Sequence, residues 1–239
     1  MTNQPRGVAV VSGGGSGIGR EIALELARRG HSLALLGRRP LTLAETLELA
    51  GGDGIAVECD VRDPAAVERA LAEITEVEAR WGAADIVVPA AGVAHILPTE
   101  ELSPEQFEET LATNLTGAFL VIRAFLPGMR RRGKGWIFPV LSVAARRGFP
   151  GWGAYCASKW GLAGLVAALR EELQGSGIRI TCLYPGATDT PLWEGVAGDW
   201  DRGKMVPAGE AARAVGYALD APASTLVEEI HFGPAGGAL

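Results

Sequence analysis

The stretch GVAVVSGGGSGIGREIALELARRG (7–30) decides how the rest of the chain is read. GVAVVS (7–12) is an almost unbroken apolar, β-branched run, which suits a strand buried on both faces of a parallel sheet. SGGGSGIG (12–19) is a turn nearly free of Cβ atoms, and IGREIALELARRG then repeats apolar residues at helical spacing. The same grammar continues outward. Apolar runs recur as SLALLG (32–37), GIAVEC (54–59), DIVVPA (85–90), WIFPVL (136–141), IRITCLY (178–184) and LVEEIHF (226–232). Helical patterns fill the intervals, such as AAVERALAEITEVEARWG, preceded by Asp63 as N-cap and Pro64 at the first helical position. Alternation repeated this often predicts an α/β, doubly wound parallel sheet of about seven strands with helices on both faces. With no repeat, low-complexity tract or linker, residues 1–239 read as one domain. The stretch 190–207 (TPLWEGVAGDWDRGKMVP) breaks the alternation and reads as a mobile substrate lid.

Composition narrows the partners. The 239 residues are 48% hydrophobic, enough for one sizeable core, and carry a formal charge of −6. That balance argues against nucleic acid and against anionic membrane surfaces. The apolar run before the first glycines is too short for a signal peptide, and no stretch approaches the roughly 18 apolar residues that span a bilayer. Cys59, Cys156 and Cys182 lack metal-ligand spacing and read as reduced thiols of a cytoplasmic protein. His31, His95 and His231 lie far apart, so no metal site and no histidine-based triad is expected.

Glycine in the first turn permits close backbone approach to a pyrophosphate, whose charge a helix N-terminus favours. A merely flexible turn is the bland alternative. The spacing is Gly-x-x-x-Gly-x-Gly, from Gly13 through Gly17 to Gly19, with Ser16 between. At the end of the second strand an acid would select NAD through the ribose 2′-hydroxyl. This chain has Arg38 and Arg39 there instead. Two guanidinium forks suit a 2′-phosphate, so the expected cofactor is NADP(H); a solvated charge pair is the alternative.

In GAYCASKWG (153–161), Tyr155 and Lys159 are four residues apart on a helix expected over 152–174, hence on one face and about 6 Å apart along the axis. A free phenol has a pKa near 10. Bringing it to about 7 needs roughly 4 kcal/mol, which an ammonium together with an oxidised nicotinamide can supply. A phenol tuned in this way donates a proton to a developing alkoxide or removes one from an alcohol.

SGGGSGIG, Arg38-Arg39, Asp60-Val61, AAG (90–92), Asn114, Ser142, Tyr155-x-x-x-Lys159 and PGATDT (185–190) together resemble the short-chain dehydrogenase/reductase family, in its order and spacing and over nearly the whole chain. The resemblance implies a Rossmann-type fold and an NADP-preferring carbonyl reductase. It implies that Ser142 hydrogen-bonds the substrate oxygen, Tyr155 is the acid/base, Lys159 holds the nicotinamide ribose and lowers the tyrosine pKa, and Asn114 holds a relay water. Cofactor contacts are implied for Gly13, Ser16, Gly17, Ile18 and Gly19. They are implied also for Asp60 and Val61, Ala91 and Gly92, Pro185 and Gly186, and Thr188 and Thr190. Three positions depart from the family's pattern: Pro89 replaces an asparagine, Ser12 a threonine and Thr188 a valine.

The substrate pocket is expected from the segment after Ser142, residues 93–98 and the lid, with Val143, Phe149, Trp152, His95, Trp193 and Trp200 making it largely apolar. Arg146 and Arg147 either meet a substrate anion or sit on a solvated loop. MRRRGKG (129–135) reads as a solvated basic face, with contact to an acyl-carrier protein as the alternative. The family resemblance implies a homo-oligomer, dimer or tetramer. The leading expectation is an oxidoreductase that moves a hydride between NADP(H) and a small carbonyl or alcohol. The alternatives are a 3-oxoacyl thioester reductase and a non-catalytic NADP-binding regulator.

Overall fold

The computed structural model describes residues 6–51, 53–196, 198 and 200–237. Strands β1 (Val8–Ser12), β2 (Ser32–Gly37), β3 (Gly54–Glu58), β4 (Ala84–Pro89), β5 (Gly135–Ile137) and β6 (Ile178–Ile180) form a parallel sheet in the order β3-β2-β1-β4-β5-β6. Strand β7 (Cys182–Pro185) follows β6 after Thr181. Beyond the short β8 (Thr188–Asp189) and β9 (Val206–Pro207), strand β10 (Glu229–Phe232) pairs with β7.

The expected seventh strand is therefore present, but paired only with the second half of its neighbour. The cause is visible at Pro139. Phe138 and Val140 donate to β4, and Leu141 donates to Leu183, but Pro139 has no N–H to give. The expected strand 136–141 consequently breaks after Ile137, opposite the interruption at Thr181.

Strands β1, β2, β4 and β5 send alternate side chains to two cores. Val8 and Val10 of β1 pack with α3 (Pro64–Trp81), α5 (Gly117–Arg132) and α6 (Gly153–Glu172), through residues such as Ile74, Val121, Phe125 and Val166. Ala9 and Val11 face α1 (Gly17–Arg28), α2 (Pro40–Leu49) and α7 (Gly209–Asp220), through Ile22, Leu26, Leu43 and Val215. Burial on both faces is why β1, β2 and β4 are nearly continuous in apolar residues rather than alternating. The expected cap of α3 is made: Asp63 Oδ1 accepts from the Ala65 N–H at 2.9 Å.

Helix α4 (Pro104–Leu111) runs into α5 through a π-helical turn at Ala112–Thr116. The combined run 104–132 is long and apolar enough to cross a membrane by length and composition, but Val121, Phe125 and Met129 are buried against the sheet, as in a core helix. Its basic end, Arg130–Arg132, lies next to the start of β5, at the edge of the sheet opposite the glycine turn.

Strand order reverses between β1 and β4, which opens a crevice at their C-terminal ends. The first turn and residues 90–92 meet there. A Cβ on Gly13 would lie 2.8 Å from the Ala91 backbone, and Gly13 holds a φ of +71°, so only glycine fits this contact.

Candidate active site

The turn after β1 is built for backbone exposure. A Cβ on Gly19 would lie 2.3 Å from the Gly13 carbonyl oxygen, so α1 starts hard against the turn. Ser16 caps α1 without a side-chain hydrogen bond, which leaves the first-turn N–H groups to an outside acceptor. Arg20 braces the turn from behind: Nη2 donates to the Gly15 carbonyl at 2.6 Å and Nε to Thr46 Oγ1 at 3.0 Å. Pro89 ends β4 in register with Ser12. The tie between the two turns comes from Ser12, whose Oγ accepts from the Ala90 and Ala91 N–H groups at 3.2 and 3.4 Å.

Three clefts run in sequence along the C-terminal edge of the sheet. The first, of about 470 Å³, holds Arg38, Asp60, Val61 and Thr113, and shares Gly13, Ser16, Arg39, Ala91 and Gly92 with the second. The second, of about 350 Å³, adds Gly17, Ile18 and Gly19, together with Pro185, Gly186, Thr188, Thr190, Tyr155 and Lys159. A Cβ on Gly17 would lie 3.2 Å from the Thr190 side chain, so the glycine turn and the segment after β7 meet there. All the sequence-nominated cofactor residues therefore line one of two adjoining clefts. Both Arg38 and Arg39 are exposed. Both Asp60 oxygens accept from Arg62, at 2.6–3.0 Å, and this pairing holds the carboxyl below its ordinary pKa.

Thr113 was not foreseen. It is 7% exposed, lines the first cleft, and its hydroxyl has no partner among the described residues. The only signal in the sequence is its place beside Asn114, and that says nothing about which way the hydroxyl points.

Ser142 caps a 3₁₀ turn at 143–145 and accepts from the Ala144 N–H at 3.1 Å. Lys159 is buried; its Nζ donates to the Val140 carbonyl at 2.8 Å and lies 5.6 Å from the centre of the Tyr155 ring. Burial lowers the lysine to a pKa of about 8. Burial also pushes the Tyr155 phenol up to about 12, opposed by a hydrogen bond with Ser142. The expectation that Lys159 draws this phenol toward neutrality is thus not met by the protein's own groups. The ammonium addresses the ring and a carbonyl, and desolvation dominates.

Asn114 lies on the π turn, outside the clefts. Its Oδ1 accepts from the Val93 N–H at 2.9 Å, and Nδ2 donates to the Val93 carbonyl at 2.9 Å and to Ser158 Oγ at 3.0 Å. The side chain that was expected to hold a relay water is engaged in joining the segment after β4 to α6.

The third cleft, of about 520 Å³, meets the second at Ser142, Tyr155, Gly186 and Trp193. Val143, Phe149, Trp152 and Trp200 line it as expected. Its wall is a run of ring contacts: Phe149 to Trp152 at 6.1 Å, Trp152 to Trp193 at 5.7 Å, and Trp193 to Trp200 at 5.0 Å between centroids. Trp152 also meets Tyr155 edge-on at 5.4 Å.

Two expectations about this cleft need correction. His95 does not line it: Nε2 lies 3.0 Å from Glu109 Oε2, in a chain of polar contacts through Arg62 to Asp60. Residues 93–98 are likewise absent from its lining, with Leu97 hydrogen-bonded to Gly151 instead. Gly233 and Pro234 of the C-terminal tail take their place, a contribution the sequence reading missed. The expected lid at 190–207 forms short 3₁₀ turns at Pro191–Gly195 and Arg202–Lys204, with its base closed by pairing of Thr188–Asp189 with Val206–Pro207. Ala197 and Asp199 within it lie outside the described residues.

The short chain dehydrogenase family model matches residues 7–199. Sepiapterin reductase of Chlorobaculum tepidum is 35% identical over 244 residues, covering 96% of this chain and 97% of its own. D-threitol dehydrogenase of Mycolicibacterium smegmatis is 37% identical over 230 residues, covering 90% and 87%. Among solved structures, an alcohol dehydrogenase from the archaeon Thermococcus sibiricus, complexed with 5-hydroxy-NADP, superposes with a TM-score of 0.84 at 32% identity, covering 96% of this chain and 97% of its own. By sequence over most of its length and by fold, this chain belongs to the short-chain dehydrogenase/reductase family of oxidoreductases.

Proposed function

We propose that the chain is an NADP(H)-dependent carbonyl reductase acting on a small, largely apolar substrate. The observation that carries this reading is the position of Ser142 and Tyr155 at the junction of the glycine-turn cleft and the aromatic cleft. Only there can one phenol reach both a cofactor and a substrate.

The residues fit a phosphorylated dinucleotide. The cradle around Gly13 and Gly19 that a Cβ would fill, and the uncapped start of α1, suit a pyrophosphate. Ser16, Gly17 and Ile18 complete that face. Arg38 and Arg39 suit a 2′-phosphate, the end of β2 carries no acid that would favour a free hydroxyl, and Asp60 in the same cleft is paired with Arg62. Asp60, Val61, Ala91 and Gly92 would flank the adenosine, and the unpartnered Thr113 hydroxyl offers it a hydrogen bond. Lys159, Pro185, Gly186, Thr188 and Thr190 would surround the nicotinamide end. When bound, the cofactor supplies the hydride. Ser142 Oγ orients the substrate oxygen, and Tyr155 Oη gives it the proton. A phenol with a pKa pushed up to about 12 carries its proton at neutral pH, the form that reduction requires. Asn114 acts by positioning, since it touches neither cleft. Residues 190–207 form the lid of one domain spanning the chain.

Three free cysteines, two of them buried, suit the cytoplasm. Exposed Phe119 on α5 and Trp160 on α6, 41% and 52% accessible, favour a homotetramer packed through these helices.

The test is NADPH consumption against NADH across a panel of ketones and aldehydes. The reading expects turnover with a preference for NADPH of at least about tenfold, and loss of that preference in Arg38→Ala/Arg39→Ala, whose NADPH binding weakens by about 1.5–3 kcal/mol for each charged hydrogen bond lost. Tight NADPH binding without turnover across the panel would favour the regulator instead.

A further inference from the structure

Arg146 and Arg147 are adjacent in sequence but have different surroundings. Arg146 Nη2 donates to Glu229 Oε1 at 2.6 Å and to the Tyr184 hydroxyl at 2.7 Å, and its guanidinium covers the Tyr184 ring. Its charge is neutralised and turned away from the cleft. Arg147 lines the aromatic cleft with its guanidinium 4.5 Å from the centre of the Phe149 ring. Among the described residues it has no carboxylate within ion-pair distance, and it is the only charged side chain in that cleft.

We propose that the substrate is an amphipathic oxo acid. On this reading, which rests on the function proposed above, a flat apolar body lies against Trp152 and Trp193 with its carbonyl at Ser142 and Tyr155. A carboxylate at the other end is held by Arg147. The chemistry favours this class on three counts. Arg147 is exposed, but its guanidinium rests on the Phe149 ring at the border of the aromatic cleft, where it presents a positive charge to an anion whose apolar body fills that cleft. The planar fork of Arg147 matches a carboxylate with two parallel hydrogen bonds. A phosphate dianion would call for a second cation, and the nearest in sequence, Arg146, is already committed to Glu229. No carboxylate among the described residues lines the cleft, so nothing there competes for Arg147 or repels an acid.

The probes are 4-acetylbenzoate and 6-acetyl-2-naphthoate, each against its neutral carboxamide, so that two lengths are sampled. Trp152, Trp193 and Trp200 provide a fluorescence readout of occupancy, measured with NADP⁺ present. At least one acid is expected to bind about 10–100-fold more tightly than its amide, the range of a charged hydrogen bond. Arg147→Met should abolish the preference, and Arg147→Lys should keep part of it. NADPH binding should stay unchanged in both variants, which also controls for folding. Equal binding of acid and amide at both lengths, or a preference that survives in Arg147→Met, overturns the proposal. The two readings fail separately. An acid preference without NADPH oxidation counts against the reductase, whereas equal kcat/KM for acid and amide counts against the Arg147 subsite alone.

Discussion

Lys159 is 5% exposed, and desolvation lowers its pKa from the usual 10.5 to about 8. A group whose folded pKa lies below its unfolded one binds fewer protons in the folded state between the two values. Stability therefore rises with pH across the window from about 8 to 10.5, and the penalty stands in full below it. At 1.36 kcal/mol per unit that penalty is about 3 kcal/mol. Lys159→Met would remove it together with the hydrogen bond to Val140, worth about 1 kcal/mol. The variant should be about 2 kcal/mol more stable than the parent in urea melts at pH 7, with the gain shrinking as pH rises past 8. A variant less stable than the parent at pH 7 would contradict this account of the buried charge. The pairing of Tyr155 with Lys159 was legible from their spacing on a helix. The direction of their pKa shifts was not, because it depends on how much protein closes over them.

At the scale of elements, the π turn shows how one polar side chain shapes the site. Asn114 makes a two-way hydrogen-bonded match with the Val93 backbone and a third bond to Ser158 on α6. Asn114→Ala would leave the Val93 N–H and carbonyl unpaired in a part-buried segment. A loss of about 2–3 kcal/mol is expected, roughly 5–10 °C in Tm for a chain of this length, read by thermal melts. A change below about 0.5 kcal/mol would show that the contact is incidental. Strand and helix positions were readable from apolar period, as β1, β2 and the cap at Asp63 show. The break in β5 was also written in the sequence, as Pro139, but its effect depends on which neighbour needs the missing N–H. His95 left the expected substrate wall because Glu109, on α4, was the nearer partner.

Across the whole molecule, function depends on clefts that no local pattern describes. Strand order places the turns after β1 and β4 side by side, and α6 delivers Tyr155 to the point where the cofactor-type groove meets the aromatic one. Sequence order lists these parts without showing that they are continuous. The different environments of Arg146 and Arg147 were equally hidden, since Glu229 lies 83 positions beyond Arg146. The central claim is that the Tyr155 phenol supplies the proton while the groove beside it holds the dinucleotide. Replacing Tyr155 by Phe removes one oxygen and keeps the ring that packs on Trp152. Single-turnover oxidation of NADPH by an accepted ketone, followed by absorbance, should slow by about 10²–10⁴-fold, while the Kd for NADPH stays within about twofold. Turnover within about threefold of the parent would contradict the claim.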